Sequence, residues 1–217
     1  MRALWAGLCV MALAGCLGGT GVSLDAPRLG RAAPDTVKVA GGDIVVGGPA
    51  GYCVDRRGSR LFGAPAFVLL ASCASISGEA ADAAPNAPGL LTASVDQRTD
   101  NVPSATEFRD VLTSETGRAT LARDGRASSV TILERDILDG ALILKLRDTS
   151  ANPTPGLEAA YWRGLFALNG RLITVTVNGF DVRPMGTDTG RAKLIGFIRR
   201  IQAESPALSG VETAATP

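Results

Sequence analysis

The sequence predicts an α+β fold: an antiparallel β-sheet meander packed by a middle helix and a C-terminal helix. Three observations predict it. Asp124-Gly125, Asp139-Gly140 and Asn169-Gly170 have the form of two-residue hairpin turns, because Asn, Asp and Gly tolerate the left-handed backbone such turns need. Alternation surrounds these dipeptides. Leu142, Leu144 and Leu146 point one way and Ile143, Lys145 and Arg147 the other. Ile173, Val175 and Val177 likewise share a face opposite Leu172, Thr174 and Thr176. The pattern is that of four or five strands with one face buried. Finally, Leu194, Phe197, Ile198 and Ile201 recur at helical spacing, and such a stripe needs an apolar surface to cover.

Taken in order, the chain begins MRALWAGLCVMALAGCLGG. Arg2 supplies a short basic segment, and Leu4 to Ala12 an apolar one too short for the roughly 20 residues a bilayer demands. Residues 1–15 therefore read as a processing signal and not as a spanning helix. Leu13-Ala14-Gly15-Cys16 resembles the lipobox of bacterial lipoproteins. The resemblance implies cleavage before Cys16, lipid on its thiol and acylation of its new amino group; the alternative is a secretory leader with a chance cysteine. Leu17 after the cysteine resembles the outer-membrane sorting pattern more than the inner-membrane one. Two or three buried acyl chains, at about 0.8 kcal/mol per methylene, would hold the protein on a membrane. Residues 16–36 are then a lipidated cysteine and flexible tether rich in Gly, Pro and Ala. Residues 37–203 form one globular domain, and residues 204–217 a small, polar, disordered tail.

Within the domain, VKVAGGDIVVGG (37–48) predicts a first strand pair, and Pro49-Ala50-Gly51 a turn into Tyr52-Cys53-Val54-Asp55. Arg56 to Gly63 reads as a polar connection, and residues 66–73 as a strand buried on both faces. Leu70-Ala71-Ser72-Cys73 repeats the lipobox order, but its apolar run is short and follows Pro65. Four cysteines are present. Cys9 would leave with the leader and Cys16 would carry lipid. Outside the cytoplasm Cys53 and Cys73 are expected to pair as a disulfide, the alternative being two buried thiols. GLLTASVDQ (89–97) is another strand. Ser104 and Glu107 form a capping box after Pro103, with Phe108, Val111 and Leu112 at helical spacing and Gly117 ending the helix. Asn152 to Gly156 is a longer connection, and Thr187 or Asp188 can cap the final helix.

This order of elements resembles the PsbP-like α-β-α sandwich, a likeness of topology over residues 37–203 that implies a fold and no activity. GYCVD followed by FVLLASC also resembles small uncharacterised Gram-negative lipoproteins. The resemblances together place the domain in the cell envelope, facing the periplasm, with the outer membrane favoured.

The charges decide against other classes. Lys+Arg number 22 and Asp+Glu 21; loss of Arg2 with the leader would make them equal. No basic footprint for nucleic acid results. With no histidine, Ser-His-Asp and Cys-His sites are excluded, as are histidine zinc sites. No calcium-loop pattern occurs, and Gly47 to Gly51 lacks the Lys-Ser/Thr and helix of a phosphate loop. Asp55, Asp181 and Asp188 read as turn or cap residues. No cofactor or metal is called for. Tyr161 and Trp162 must face opposite sides of one strand, so one should enter the core; the other is expected to pack in the ordinary way, the alternative being a binding surface that it forms with Arg163. Tyr52 is expected to pack on the disulfide and could join such a surface. The expectation is a membrane-anchored, non-catalytic domain that binds an envelope protein or small ligand. The alternative is a hydrolase using carboxylates brought together by the fold.

Overall fold

The computed structural model describes residues 33–152 and 154–207. The leader, Cys16, nearly all of the tether and the end of the tail lie outside the described residues, as does Pro153 in the connection expected at 152–156.

The described residues form nine strands and four α-helices. A small hairpin, β1 (Thr36–Val39) and β2 (Ile44–Gly47), opens the domain. Then come β3 (Tyr52–Arg60), β4 (Ala66–Ser72), α1 (Cys73–Ser77) and β5 (Gly89–Val95). Two short helices follow, α2 (Ala105–Leu112) and α3 (Glu115–Leu121). The meander β6 (Val130–Leu138), β7 (Ala141–Asp148), β8 (Ala160–Leu168) and β9 (Arg171–Gly179) leads to α4 (Thr187–Glu204). Strands β3 to β9 make one seven-stranded antiparallel sheet in the order β3-β4-β5-β9-β8-β7-β6. The α+β class and the C-terminal helix are as the sequence predicts.

Two of the three turn signals are hairpins. Asp139-Gly140 joins β6 to β7 and Asn169-Gly170 joins β8 to β9, all four residues having positive φ. Asp124-Gly125 instead leads from α3 towards β6. Gly125 there bonds back to the Ala122 carbonyl, so this dipeptide closes a helix end and not a hairpin.

Both faces of the sheet are covered, where the sequence suggested one. On the first face, α4 and the β1–β2 hairpin lie over Ile143, Trp162, Phe166, Ile173, Val175 and Val177. On the second, α2 and α3 cover Leu142, Leu144, Leu146, Tyr161 and Leu165. The first half of β7, Ala141 to Leu144, is therefore buried in both directions, and the result is a three-layer α-β-α arrangement. The stripe Leu194, Phe197, Ile198 and Ile201 is wholly interior. Each such side chain stabilises by about 1.5–3 kcal/mol relative to exposure.

Several expected boundaries move, each for a local reason. Residues 56–60 continue β3 as an edge strand with a bulge between Asp55 and Arg60. Asp55 holds the bulge by accepting from the N–H groups of Arg57 and Gly58, so polar residues sit comfortably in a strand that faces solvent. β4 is buried on one face and only half-buried on the other, and Cys73 begins α1. The capping box is present, with Glu107 N–H donating to Ser104 Oγ and Ser104 N–H to Glu107 Oε2. The helix ends before Gly117, however. Ser114 caps α3 through the Gly117 N–H, Gly117 lies inside α3, and Val111 is 61% exposed. Neither Thr187 nor Asp188 caps α4; its N-cap is Gly186, with no side-chain bond. α4 itself runs through Glu204, so residue 204, expected to open the tail, is its last turn.

Candidate functional site

Cys53 and Cys73 are joined by a disulfide with S–S 2.06 Å and Cα–Cα 4.8 Å. It ties the start of β3 to the start of α1. Tyr52 does not share its side of the sheet, since neighbours on a strand face opposite ways. Its ring is 1% exposed in the first-face core, the hydroxyl donates to the Ala87 carbonyl at 2.8 Å, and the Lys193 ammonium stands 5.1 Å from the ring centroid. Burial pushes its pKa up to about 12.

Tyr161 and Trp162 pack in the ordinary way and do not form the alternative binding surface. Tyr161 is 3% and Trp162 4% exposed. They do face opposite sides, but each side has its own helical layer, so both are interior. Arg163 is half-buried at the border of the second layer, with its guanidinium 5.3 Å from the Tyr161 ring centroid and a long 3.4 Å bond to the Leu121 carbonyl. Its Nε and the Tyr161 hydroxyl have no partner.

Beyond Arg163 the second helical layer stops. Along β9, β5 and β4 the same face carries two cross-strand rows, Thr176–Thr92–Leu69 and Thr174–Ser94–Phe67. All six residues are half-buried, as is Leu90. At one end this platform meets a cavity of about 530 Å³ lined by Ala64, Pro65, Val102, Pro103, Phe108 and Leu172 among others. Phe62, 87% exposed, lies two residues before that wall. No single strand announces the platform: its rows mix Thr and Ser with Leu and Phe, which reads equally well as a solvent face.

A second, smaller cavity of about 100 Å³ sits where α4 begins, walled by Lys145, Glu158, Trp162, Val177, Met185 and Thr187 among others. The Lys145 ammonium donates to Thr187 Oγ1 at 2.5 Å, lies 3.5 Å from Glu134 and stands 5.8 Å from the Trp162 ring centroid. Glu158 accepts from the Met185 N–H at 2.9 Å. Two glycines make room for these groups. A Cβ at Gly190 would meet Trp162 Cδ1 at 2.7 Å and Nε1 at 2.9 Å, and one at Gly179 would overlap the Glu158 carboxylate.

The carboxylates with displaced pKa values are all displaced downward. In Glu107 the hydrogen bonds from Ser104 lower it. In Asp124 the Ser129 hydroxyl and the Arg126 N–H do so. In Asp148 burial raises the pKa, but bonds from Ser150 and the Arg123 N–H, with the Arg123 charge, outweigh it. Each of the three is spent on a cap, a turn or an ion pair. Among the described residues no group of three or more His, Cys, Asp or Glu could hold a metal ion.

No protein-family model matches the chain, and neither a curated protein nor a solved structure matches it.

Proposed function

We propose that the protein is a lipid-anchored, non-catalytic accessory domain of the bacterial cell envelope that docks an envelope protein on the uncovered half of its sheet. The carrying observation is the platform of Phe67, Leu69, Thr92, Ser94, Thr174 and Thr176, half-buried beside a partly apolar cavity where a helical layer covers the rest of the same face. A half-buried sheet face of mixed apolar and hydroxyl side chains beside a cavity offers a partner both apolar area and hydrogen-bonding groups, the composition of an ordinary protein interface. The anchor rests on Leu13-Ala14-Gly15-Cys16, the compartment on that motif, and both fit a disulfide between the two remaining cysteines. The hydrolase alternative draws no comparable support: Glu107, Asp124 and Asp148 serve a helix cap, a turn and an ion pair.

The test is a crosslinking pull-down from intact cells with a photoreactive residue at Thr92 or, as a control on the far edge strand, at Thr131. Capture of one partner from position 92 and not 131, together with release of the Cys16→Ala protein from membranes, is expected. Identical products from both positions, or a Cys16→Ala protein that stays with membranes after a salt wash, overturns the reading.

A further inference from the structure

β3 carries a basic bulge on the free edge of the sheet. Asp55 stands opposite Leu69 and Arg60 opposite Phe67, so the four residues 56–59 share the level of Val68 alone. That crowding brings Arg56 and Arg57 to within about 10 Å, along the strand, of Pro65 at the turn into β4. The bulge is tied down from within. The Asp55 carboxylate accepts from the Arg57 and Gly58 N–H groups, while Ser59 Oγ donates to the Asp55 carbonyl and accepts from the Leu69 N–H. Arg56, Arg57 and Arg60 are all exposed, and among the described residues none of the three has an ion-pair partner. Asp55 is the only acid from Tyr52 to Pro65, so the stretch is net positive.

Phe62 lies in the turn that follows. It is 87% exposed, the one exposed aromatic residue among those described, and so forgoes the stabilisation that burial would give. The loop that carries it is closed: Arg60 Nε and Nη2 both donate to the Pro65 carbonyl, at 3.3 and 3.1 Å. The anchor segment arrives on the same strand. The Val54 N–H donates to the Pro34 carbonyl at 2.7 Å, so the described chain starts along β3, the outermost strand of the sheet. Residues 17–33 join Cys16 to Pro34, a span of at most about 60 Å drawn straight. A domain held that near a bilayer meets it at high effective concentration, and a contact too weak to recruit the protein alone is still populated.

From the unpaired arginines, the ring beside them and the anchor segment's arrival on the same strand, we infer that residues 56–63 are a membrane contact. The arginines take the phosphate headgroups of an anionic leaflet, and Phe62 enters its acyl boundary. Apolar burial and attraction to anionic lipid add in such contacts, and each arginine near the leaflet strengthens attachment about fivefold. The loop sits at one end of β3 and β4, which leaves the face of the Thr92 platform open to its partner. The inference rests on the lipid anchor for the nearness of the bilayer, and its test reads anchor and loop by separate signals.

The full chain carrying Trp5→Phe and Phe62→Trp is purified from cells and mixed with vesicles of phosphatidylcholine, or of phosphatidylcholine with an equal part of phosphatidylglycerol. Bromine on the acyl chains quenches any tryptophan that reaches them. Flotation with the zwitterionic vesicles reads the anchor, and quenching reads the loop. Trp162, 4% exposed, gives the background, measured in the chain with Trp5→Phe alone. The indole introduced at position 62 should be quenched about fivefold more in the anionic vesicles, and high salt should remove the difference. Arg56→Gln with Arg57→Gln changes two exposed side chains, so that variant should melt with the parent and float as well. Its quenching should fall to near the zwitterionic level, since two arginines account for about 25-fold in attachment. No quenching in either vesicle, the result if the loop serves an acidic protein instead, overturns the inference. Equal quenching in both vesicles does the same, as does a double variant that melts with the parent and keeps the anionic quenching. If that variant fails to fold, the salt comparison on the parent decides. Loss of flotation from the zwitterionic vesicles alone sinks the anchor and leaves the anionic quenching to decide the loop.

Discussion

Tyr52 donates its hydroxyl proton to Ala87 from inside the core, and that placement makes the protein sensitive to base. A phenol is neutral when protonated, and burial holds Tyr52 at about 12 against its ordinary 10.0. Its contribution to stability is therefore complete below pH 10 and lost as the pH climbs towards 12. At 1.36 kcal/mol per pKa unit this amounts to about 2–3 kcal/mol. Chemical denaturation of the parent and of Tyr52→Phe at pH 9 and pH 11.5 should show the parent losing more of its stability over that interval. Equal losses would mean that the ring is not held as described. Asp148 shows the acidic counterpart. Its side chain is fully buried against Arg123, and Ser150 and the Arg123 N–H complete its bonds. At this scale the sequence was partly readable. Alternation correctly set Tyr161 and Trp162 on opposite sides of β8, but no single strand tells whether one side or both will be roofed. The alternative of one ring at the surface fails for that reason.

Among the elements, the corner between α2 and α3 depends on one missing side chain. A Cβ at Gly117 would overlap the Val111 carbonyl and come within 2.6 Å of the Leu112 Cα. Both obstacles are backbone, so neither can swing aside. Gly117→Ala should force the two helices apart at a cost of about 1–3 kcal/mol, the usual range for overpacking. That corresponds to a fall in melting temperature of several degrees for a domain of this size, read by circular dichroism; an unchanged melting point would show that the corner yields freely. The sequence marked this glycine as a stop because glycines commonly end helices, whereas its use here is close approach. Where local chemistry decides the outcome, the reading was sound: the Ser104–Glu107 box, the Asp139-Gly140 and Asn169-Gly170 turns and the α4 stripe are all present. Residues 56–60 were missed as strand because an edge facing water carries charge in place of alternation. The two candidate sites were invisible for another reason. The cavity joins Lys145 to Thr187 and Glu158 to Met185, pairs that are remote in sequence and meet only once β7, β8 and α4 have packed.

For the molecule as a whole, the layers are held to one sheet by long-range ties. Arg200 bonds to the Gly48 carbonyl, Asp35 and Glu204, and Asn169 bonds to the carbonyls of Asp43 and Pro206. The start and end of the domain are thereby fastened to α4 and to the β8–β9 turn. The covalent tie is Cys53–Cys73, spanning 20 residues, and in the chain-entropy model a loop of that length contributes about 3 kcal/mol. The double variant Cys53→Ser, Cys73→Ser should melt about 6–12 °C lower than the parent, and reduction of the parent should reproduce that drop. A melting point indifferent to both would remove the bridge. The order β5-β9 in mid-sheet, with β6 to β8 outside it, could not be foreseen, because neighbours in the chain usually pair first. The two rims of the sheet share a last property. β3 is kinked between Asp55 and Arg60, and β6 between Ile132 and Glu134. However densely such molecules are crowded, a neighbour arriving rim-first finds no straight row of free amides to copy, so the body resists being drawn into fibres by its own flanks.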